Sequence, residues 1–500
     1  MAKIIGVVCP APPYHKSWPR KADLIPTSNT IEGEQKSGGL ILDLLPLFLC
    51  TQKMIKQNGL EWVAKTFGLE PRWTSEPDIA KVESIARKHL NLKENDFCHL
   101  SFYTEGAFNK LYKVETEGEC FLVRVTLPVD PFNKTNSEVA TINFIRQTTD
   151  IPVPQILAFD DTNENELGFE WILMTMLPGG NLRTKWRKLS RDSKQNLVKQ
   201  IVRYQAQLFR HKFSTIGNIF ITPESQLEKG SLSSNILSID AKGTPQDSQQ
   251  ISLTPRQIVS MFFFWGDHIT QDVPRGPFTN SKDWLCARLT LAITDQERIL
   301  KTTDDEDEIE DAQDAKILAE RLLKLLPSVF PTANSIPEQS VLFHDDLSSR
   351  NILIDDDGTV TGIVDWECVS TLPLWKACEF PEFLKGRERN EEPNRNQYSP
   401  DDEENVNESA TDALDNEGIN ELYWEHLLEY ESTMLRALFL DEMQKIAPEW
   451  IEESTKGAVK ADFEAAVQSC DGGWSVKQIT AWLDALEKGE NWSLRKKLIE

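Results

Sequence analysis

Histidine and cysteine are scarce in this chain of 500 residues, at seven and eight respectively. The cysteines (Cys9, Cys50, Cys98, Cys120, Cys286, Cys368, Cys378, Cys470) are scattered, with no C-x-x-C pair and no His/Cys cluster. That pattern excludes a zinc site of the usual ligand spacing and a disulfide framework. Long apolar runs are missing too. The longest, Gly39 to Cys50, is interrupted by Asp43 and falls short of the ~20 residues a membrane helix needs. It lies too far into the chain, with no basic region before it, for a signal peptide. Positive charge is the minority sign: 54 Lys and Arg against 79 Asp and Glu leave a net charge of −25. A general nucleic-acid binder needs a basic face to displace counterions, so nucleic acid is excluded as a partner. There is no internal repeat. The expectation is a soluble cytoplasmic protein without a membrane span. Met1 to Arg20, with three basic residues and no acid, keeps a mitochondrial presequence as the alternative.

What is present is ample core material, with a hydrophobic fraction of 40%, 14 Trp and 23 Phe. The length suits two large units. Residues 1–75 read as an N-terminal extension, irregular around its prolines, with a short helix at Leu40 to Leu49. A helix is expected between Asp78 and Leu90, with Val82 and Ile85 on one face. From Cys98 the period becomes that of strands: His99 to Phe102, Leu111 to Glu115 and Phe121 to Thr126. After Pro128 and Pro131, Thr135-Asn136-Ser137 offer N-caps to a helix carrying Val139, Ile142 and Ile145. Strands Ile156 to Phe159 and Phe169 to Met176 follow. The order strand, strand, strand, helix, strand, strand defines a small antiparallel lobe, placed with its preceding helix at 76–177.

Helices dominate beyond Gly180, with apolar stripes at Leu197, Ile201, Tyr204, Leu208 and at Leu318, Leu322, Leu325, Leu326, the second ending at Pro327. This gives a helical lobe at 178–445 and a helical extension at 446–500. Tyr423, Leu427, Tyr430, Met434 and Leu438 are expected on one face of a late helix, and another is expected within Trp474 to Leu486. The acidic runs near 304–311 and 387–417 read as solvated or disordered insertions. The fold class is α+β: a small antiparallel β-sheet lobe followed by a mainly helical lobe.

The stretch that carries chemistry runs from Val341 to Glu367, VLFHDDLSSRNILIDDDGTVTGIVDWE. Asn351 follows Asp346 by five residues and Asp365 follows Asn351 by fourteen. Between them two short strands turn at Asp355-Asp356-Asp357-Gly358, and a hairpin of that length brings Asn351 and Asp365 together. Two carboxylates at about 4 Å repel by roughly 4 kcal/mol at an effective dielectric of ~20. Asp346 and Asp365 therefore need a cation or a basic neighbour, or one must hold a proton. Oxygen-only ligands point to Mg²⁺ rather than zinc. One group to orient an acceptor hydroxyl, ligands for Mg²⁺ and cations over phosphates are the parts phosphoryl transfer from ATP requires. The acidic turn lacks the alternating ligands and distal Glu of a calcium loop. Asp365-Trp366-Glu367 also resembles the end of a glycosidase catalytic strand, but position 363 is Ile, and the strand–helix alternation of that barrel is missing.

On these residues the chain resembles the aminoglycoside phosphotransferase (APH) family, the small-molecule branch of the protein-kinase-like fold. HDDLSSRN gives H-x-D-L-x-x-x-N, and VDWE stands where protein kinases show D-F-G. FHDDLSSRNIL, GIVDWECVSTLPLW and RGPF (Arg275 to Phe278) resemble a fungal subgroup. The likeness covers roughly residues 95–440. It implies a two-lobed kinase-like fold with ATP between the lobes, Asp346 as catalytic base, and Asn351 and Asp365 as Mg²⁺ ligands, with His344 a buried support. It further implies Gly106 and Asn109 in the phosphate-covering turn, Arg124 over the phosphates with Glu138 as its ion-pair partner, and Met174 to Met176 as the adenine hinge. Arg124 replaces the usual lysine, Ser348 stands where protein kinases place a phosphate lysine, and Asp345 replaces a common glycine. By strand alternation Asp345 should point away from Asp346. The function implied is transfer of the γ-phosphate of ATP to a hydroxyl of a small molecule, which the sequence does not name. The alternative is a nucleotide-binding scaffold without turnover.

Overall fold

The computed structural model describes residues 57–65, 68–223, 233–234, 251–331, 337–400, 414–490 and 492–499. The expected helix at Leu40 to Leu49 and positions 401–413 of the second acidic stretch lie outside the described residues. The described residues open on an antiparallel hairpin, β1 (Leu60–Lys65) with β2 (Gly68–Trp73), inside what reads from sequence as an irregular extension. Helix α1 (Ile79–His89) follows, capped by the Asp78 side chain on Ala80 N, and buries Val82 and Ile85.

The small lobe is a five-stranded antiparallel sheet in the order β3-β4-β5-β7-β6. Its strands are β3 (His99–Glu105), β4 (Asn109–Glu115), β5 (Cys120–Thr126), β6 (Ile156–Asp160) and β7 (Glu170–Thr175), with α2 (Asn133–Thr148) between β5 and β6. Strand alternation does the sorting on β5. Val123 and Val125 enter one core with Tyr112 and Val114, while Arg124 between them meets Glu138 of α2. Helix α2 starts earlier than its sequence suggests. Thr135, Asn136 and Ser137 lie inside it, and Phe132 occupies the cap position without a side-chain cap. The polar groups expected to cap are used to join elements instead. Asn136 donates to Asp161 and accepts from Ile221 N, and Ser137 accepts from Asn218.

The second lobe mixes helices with two further sheets, so it is less purely helical than its sequence suggests. After β8 (Gly180–Asn181) and α3 (Leu182–Lys185) comes α4 (Arg191–Arg210), whose Leu197, Ile201 and Leu208 are buried. Then follow β9 (Gly217–Pro223), β10 (Ser233–Ser234), β11 (Ile251–Pro255), α5 (Met261–Phe264), α6 (Ser281–Thr302) and α7 (Glu306–Val329). Next are β12 (Ser340–Phe343), β13 (Ile352–Ile354), β14 (Val360–Ile363), β15 (Ser370–Pro373) and α8 (Leu374–Ala377). One sheet runs β10-β11-β9-β15-β12 and a smaller one β14-β13-β8. At the junction of the lobes Gly179 (φ +99°) lies so close to β13 that a Cβ would stand 2.6 Å from Ile354 O, so only glycine fits.

The first acidic run is mostly exposed but ordered. Asp305 caps α7 by accepting from Asp307 N and Glu308 N, and Glu306, Asp307 and Glu308 fill the first turn, where the helix dipole favours negative charge. The same helix continues past Pro327 to Val329. The chain ends in α9 (Glu421–Ile446), α10 (Pro448–Lys456), α11 (Ala458–Ser469), α12 (Val476–Glu487) and α13 (Leu494–Ile499). Helix α9 buries Ser432, Leu435, Phe439 and Met443 rather than the expected stripe, and Met434 is exposed. An apolar pattern with little amphipathic bias does not by itself select the inward face.

Helix α11 inserts Glu464 into the second lobe, where Arg288 Nη1 approaches at 2.5 Å and Lys376 Nζ at 2.8 Å. Burial raises the pKa of this carboxyl, but the charges of Lys376 and Arg288 outweigh it and bring the group down to about 2 from 4.5. A depressed carboxylate stabilises the fold above its unfolded pKa and loses that contribution as pH falls through the folded one. Glu464 is therefore expected to contribute roughly 3 kcal/mol that disappears between pH ~4.5 and ~2. Denaturant titrations across that range should show Glu464→Gln less stable than the native chain at pH 7 but with a flatter acid limb.

Candidate active site

The β13–β14 hairpin builds the centre. Ile352 pairs with Ile363 and Val364 N donates to Asn351 O at 3.0 Å, so Asn351 and Asp365 leave the hairpin side by side. The turn closes on Asp355, whose Oδ1 accepts from Asp357 N and Thr359 N. Asn351 Nδ2 donates to both Asp346 O (2.9 Å) and Asp346 Oδ2 (3.0 Å), fixing that carboxylate. His344 is buried and its Nε2–H donates to Val364 O, with its ring 4.7 Å from that of Trp366. Burial pushes His344 down to about 4, which keeps the ring neutral. Asp365 takes φ +66°, a conformation unusual for a non-glycine residue, of the kind found where surrounding structure holds a functional group in place.

Strand β12 ends at Phe343, so alternation no longer governs the loop, and Asp345 and Asp346 line one cavity. Burial first, and then the charge of Asp345, push Asp346 up to about 6.

Facing the hairpin, Arg124 donates from Nη1 to Glu138 at 2.5 Å and from Nη2 to Glu367, with Asp365 at 3.7 Å. Burial opposes the charge on Arg124, but Glu138, Glu367 and Asp365 outweigh it and raise its pKa. Two members of this cluster lie outside the set expected from sequence. Lys134, only 1% exposed, pairs with Glu367 and donates to Asn109 Oδ1 at 3.1 Å. Glu367 accepts from Arg124, Lys134 and Asn109 Nδ2 (2.9 Å). A signal for Lys134 was available: it precedes Glu138 by one helical turn, on the same face. It also sits in the first turn of α2, where a cation opposes the helix dipole. Burial raises Glu367, but Arg124 and Lys134 overcome that and bring it to about 2.

Asn109 thus joins the cluster through its side chain, also accepting from Thr126 Oγ1. Gly106 sits at the β3–β4 turn, its N–H on Asn109 O at 2.9 Å. Met174 packs in the core with Val139 and Ile172 beneath α2. Met176 follows the end of β7, half-buried, with its N–H on Cys120 O.

The buried charges do not balance. Asp365, Glu367 and Glu138 outnumber the buried cations Arg124 and Lys134 that face them, and Asp346 beside them has Arg350 nearby. Burial and then Glu367 push Asp365 up to about 7 despite Arg124, so this carboxyl lacks a full counter-charge. A divalent cation would supply that missing charge, and Asp365 with the Asn351 oxygen would offer the oxygen donors Mg²⁺ prefers. The donor set fits the metal.

A cavity of about 330 Å³ opens at Asp346 and Asp365 and extends into the second lobe between α5, α6 and α11. Part of it is the Phe262 to Trp265 run, which in sequence reads as plain core. Met261, Phe262 and Trp265 are half-buried and line the cavity together with the buried Phe263, whereas the buried Phe264 does not. Arg275 to Phe278 makes a packed turn: Phe278 is buried and Arg275 donates to the carbonyls of Phe263 and His268.

A small five-stranded antiparallel lobe with one helix laid on its sheet, joined at Gly179 to a larger lobe that presents a catalytic-type loop and hairpin, is the two-lobed protein-kinase-like fold. The model of the phosphotransferase enzyme family, APH, matches residues 99–375, and the chain belongs to that family. It is 31% identical over 135 residues to a subtelomeric hrmA-associated cluster protein of Aspergillus fumigatus, covering 26% of each chain. It is 24% identical over 363 residues to altered inheritance of mitochondria protein 9, mitochondrial, of Clavispora lusitaniae, covering 65% of this chain and 58% of that one. The chain thus spans about a quarter and somewhat over half of these relatives. Among solved structures it is similar to a putative aminoglycoside phosphotransferase from Ralstonia eutropha (12% identity, 83% of this chain and 100% of that one, TM-score 0.38). A putative fructosamine-3-kinase from Haemophilus somnus is a second (11% identity, 80% and 96%, TM-score 0.37). Among the described residues no helix is long and apolar enough to cross a membrane.

Proposed function

We propose that this chain transfers the γ-phosphate of ATP to a hydroxyl of a small molecule. The observation that carries the reading is the convergence of Asp346, Asn351 and Asp365 at the mouth of a cavity, opposite the buried cations Arg124 and Lys134. Asp346, held by Asn351 and exposed to the cavity, orients the acceptor hydroxyl and takes its proton. Arg124 and Lys134 place positive charge where phosphate oxygens enter, and Glu138 fixes the Arg124 fork. Mg²⁺, held by Asn351 and Asp365, would offset the charge of the β- and γ-phosphates. The β3–β4 turn at Gly106 covers the phosphates, and the segment after β7 through Met176 is the adenine hinge, with the lobe boundary at Leu177.

Thermal shift with ATP, with and without Mg²⁺, tests the donor half. A magnesium-dependent rise in Tm is expected for the native chain, and Asp365→Ala should lose it while remaining folded by circular dichroism. A native chain whose Tm ignores Mg·ATP would overturn the reading. The scaffold alternative predicts the shift without ADP release on any acceptor. For location, the basic leader and the name of the Clavispora relative favour the mitochondrial alternative over the cytoplasm. Cell fractionation of the full chain against one lacking its first 20 residues decides it, since a presequence is required only for import.

A further inference from the structure

A second cavity, of about 160 Å³, lies beside the one at Asp346 and Asp365 and shares with it only Trp265 and His268. It is bounded by the β1–β2 hairpin at Leu69, by α6, by the start of α7 and by the turn after α11. Five carboxylates line it, Asp267, Asp295, Glu308, Asp311 and Asp471, against Arg298 and His268. Arg298 binds both Asp267 and Asp295, the latter at 2.9 Å. His268 donates from Nδ1 to Phe262 O at 2.7 Å and from Nε2 to Asp295 at 2.5 Å, and a ring with both nitrogens on acceptors is an imidazolium. These four groups close a neutral network, and Asp471 is engaged as well. Glu308 and Asp311 are left. They stand three residues apart on one face of α7, and among the described residues neither is in an ion pair. Glu308 accepts from the neutral Thr303 Oγ1 at 2.6 Å.

Surface acids are commonly solvated without any ligand, and Gln296 is what distinguishes this place. It lies on α6, is 6% exposed and lines the cavity. Among the described residues its side-chain amide has no hydrogen-bond partner. A buried amide without a partner is costly and uncommon, and its oxygen suits a ligand that donates. The remaining wall is largely apolar, with Leu69, Trp265, Ile299 and Ala312. Negative charge, an amide acceptor and hydrocarbon surface together fit a cationic N–H donor carried on methylene groups. A bare divalent ion is served less well. Among the described residues, the three metal-type donors within 4.8 Å of one another are Asp267, His268 and Asp295. Arg298 and the His268 proton already occupy that set. The volume, below the ~300 Å³ at which pockets for drug-sized ligands begin, limits the occupant to a few heavy atoms.

We propose that this second cavity binds a small alkyl diamine, with one ammonium group donating to the Gln296 oxygen, positive charge matched by Glu308 and Asp311, and the methylene chain against the apolar wall. Asp346, Asn351 and Asp365 take no part in it, so the site stands apart from the phosphotransferase reading above.

Isothermal titration of the full chain with 1,4-diaminobutane at fixed ionic strength tests the site. Saturable binding near one equivalent is expected, at least tenfold tighter than that of n-butylamine, which carries one charge. Gln296→Leu, which leaves the net charge of −25 unchanged, and Asp311→Asn should each weaken binding at least fivefold. Glu392→Gln, at an exposed acid outside the cavity, removes the same charge as Asp311→Asn and should leave binding as it is. That comparison separates the site from general attraction to an acidic protein. Circular dichroism reports whether each variant is folded. Asp311 is exposed, so where Gln296→Leu does not fold, Asp311→Asn against Glu392→Gln decides. No saturable binding by the native chain, native binding by either folded cavity variant, or an equal loss in Glu392→Gln overturns the site. Butylamine binding as tightly as the diamine overturns the two-charge ligand. A Ca²⁺ isotherm that both cavity variants abolish, with none for the diamine, overturns the amine and gives the cavity to a metal ion.

Discussion

Replacing Asp346 by alanine is expected to lower phosphate transfer by about 10²–10⁴-fold, the contribution of a positioned general base, while leaving Mg·ATP binding within about twofold. The separation follows from geometry. Asp346 is tied to Asn351 and opens onto the cavity, whereas Arg124, Lys134 and Glu138 hold the far side of the cleft. Asp346→Asn keeps a group that can meet Asn351 but cannot take a proton, so its rate should fall as far as that of the alanine variant. Single-turnover transfer beside the Mg-dependent thermal shift checks both. Normal transfer by either variant would remove Asp346 from the chemistry.

The second large effect concerns Lys134. Its ammonium is 1% exposed and pairs with Glu367. Removing one partner of a buried ion pair leaves the other charge under-compensated, at a cost of about 3 kcal/mol or more. Lys134→Met should therefore destabilise the chain by about that amount in urea titration. The double variant Lys134→Met/Glu367→Gln, which removes both charges, should recover a large part of the loss. The two changes separate structure from phosphate binding. The double variant is expected to regain stability yet bind Mg·ATP more weakly than the native chain, because the proposed function makes Lys134 one of two cations facing the phosphates. A double variant with native ATP affinity would reduce Lys134 to a counter-ion for Glu367.

These two residues also mark how legible the site is in the chain. Asp346, Asn351 and Asp365 could be read because a short hairpin joins them, and strand pairing over a few residues is a local matter that spacing reports. Glu138 could be placed opposite Arg124 because both lie on regular elements with known periods. Glu367, two residues beyond Asp365, was in view, but its partners Asn109, Arg124 and Lys134 come from the other lobe, more than 200 positions away. Apolar segments were legible as elements and not as faces. Phe262 to Trp265 divides between core and cavity wall, a distinction that depends on what packs against each ring.

By itself the sequence determined the α+β class, the order of strands and helix along the small lobe, and the hairpin between Asn351 and Asp365. Each of these rests on periodicity, turn chemistry and short-range spacing that act within a few residues. Only the tertiary structure decided that the first acidic run is the start of a helix, and that Lys134 and Glu367 belong to the cation cluster. It likewise decided that Phe262 and Trp265 line a cavity while Phe264 is core. Those features arise from charges and rings brought together across the chain, and Coulomb energy and burial depend on distance in space, on which separation along the sequence is silent.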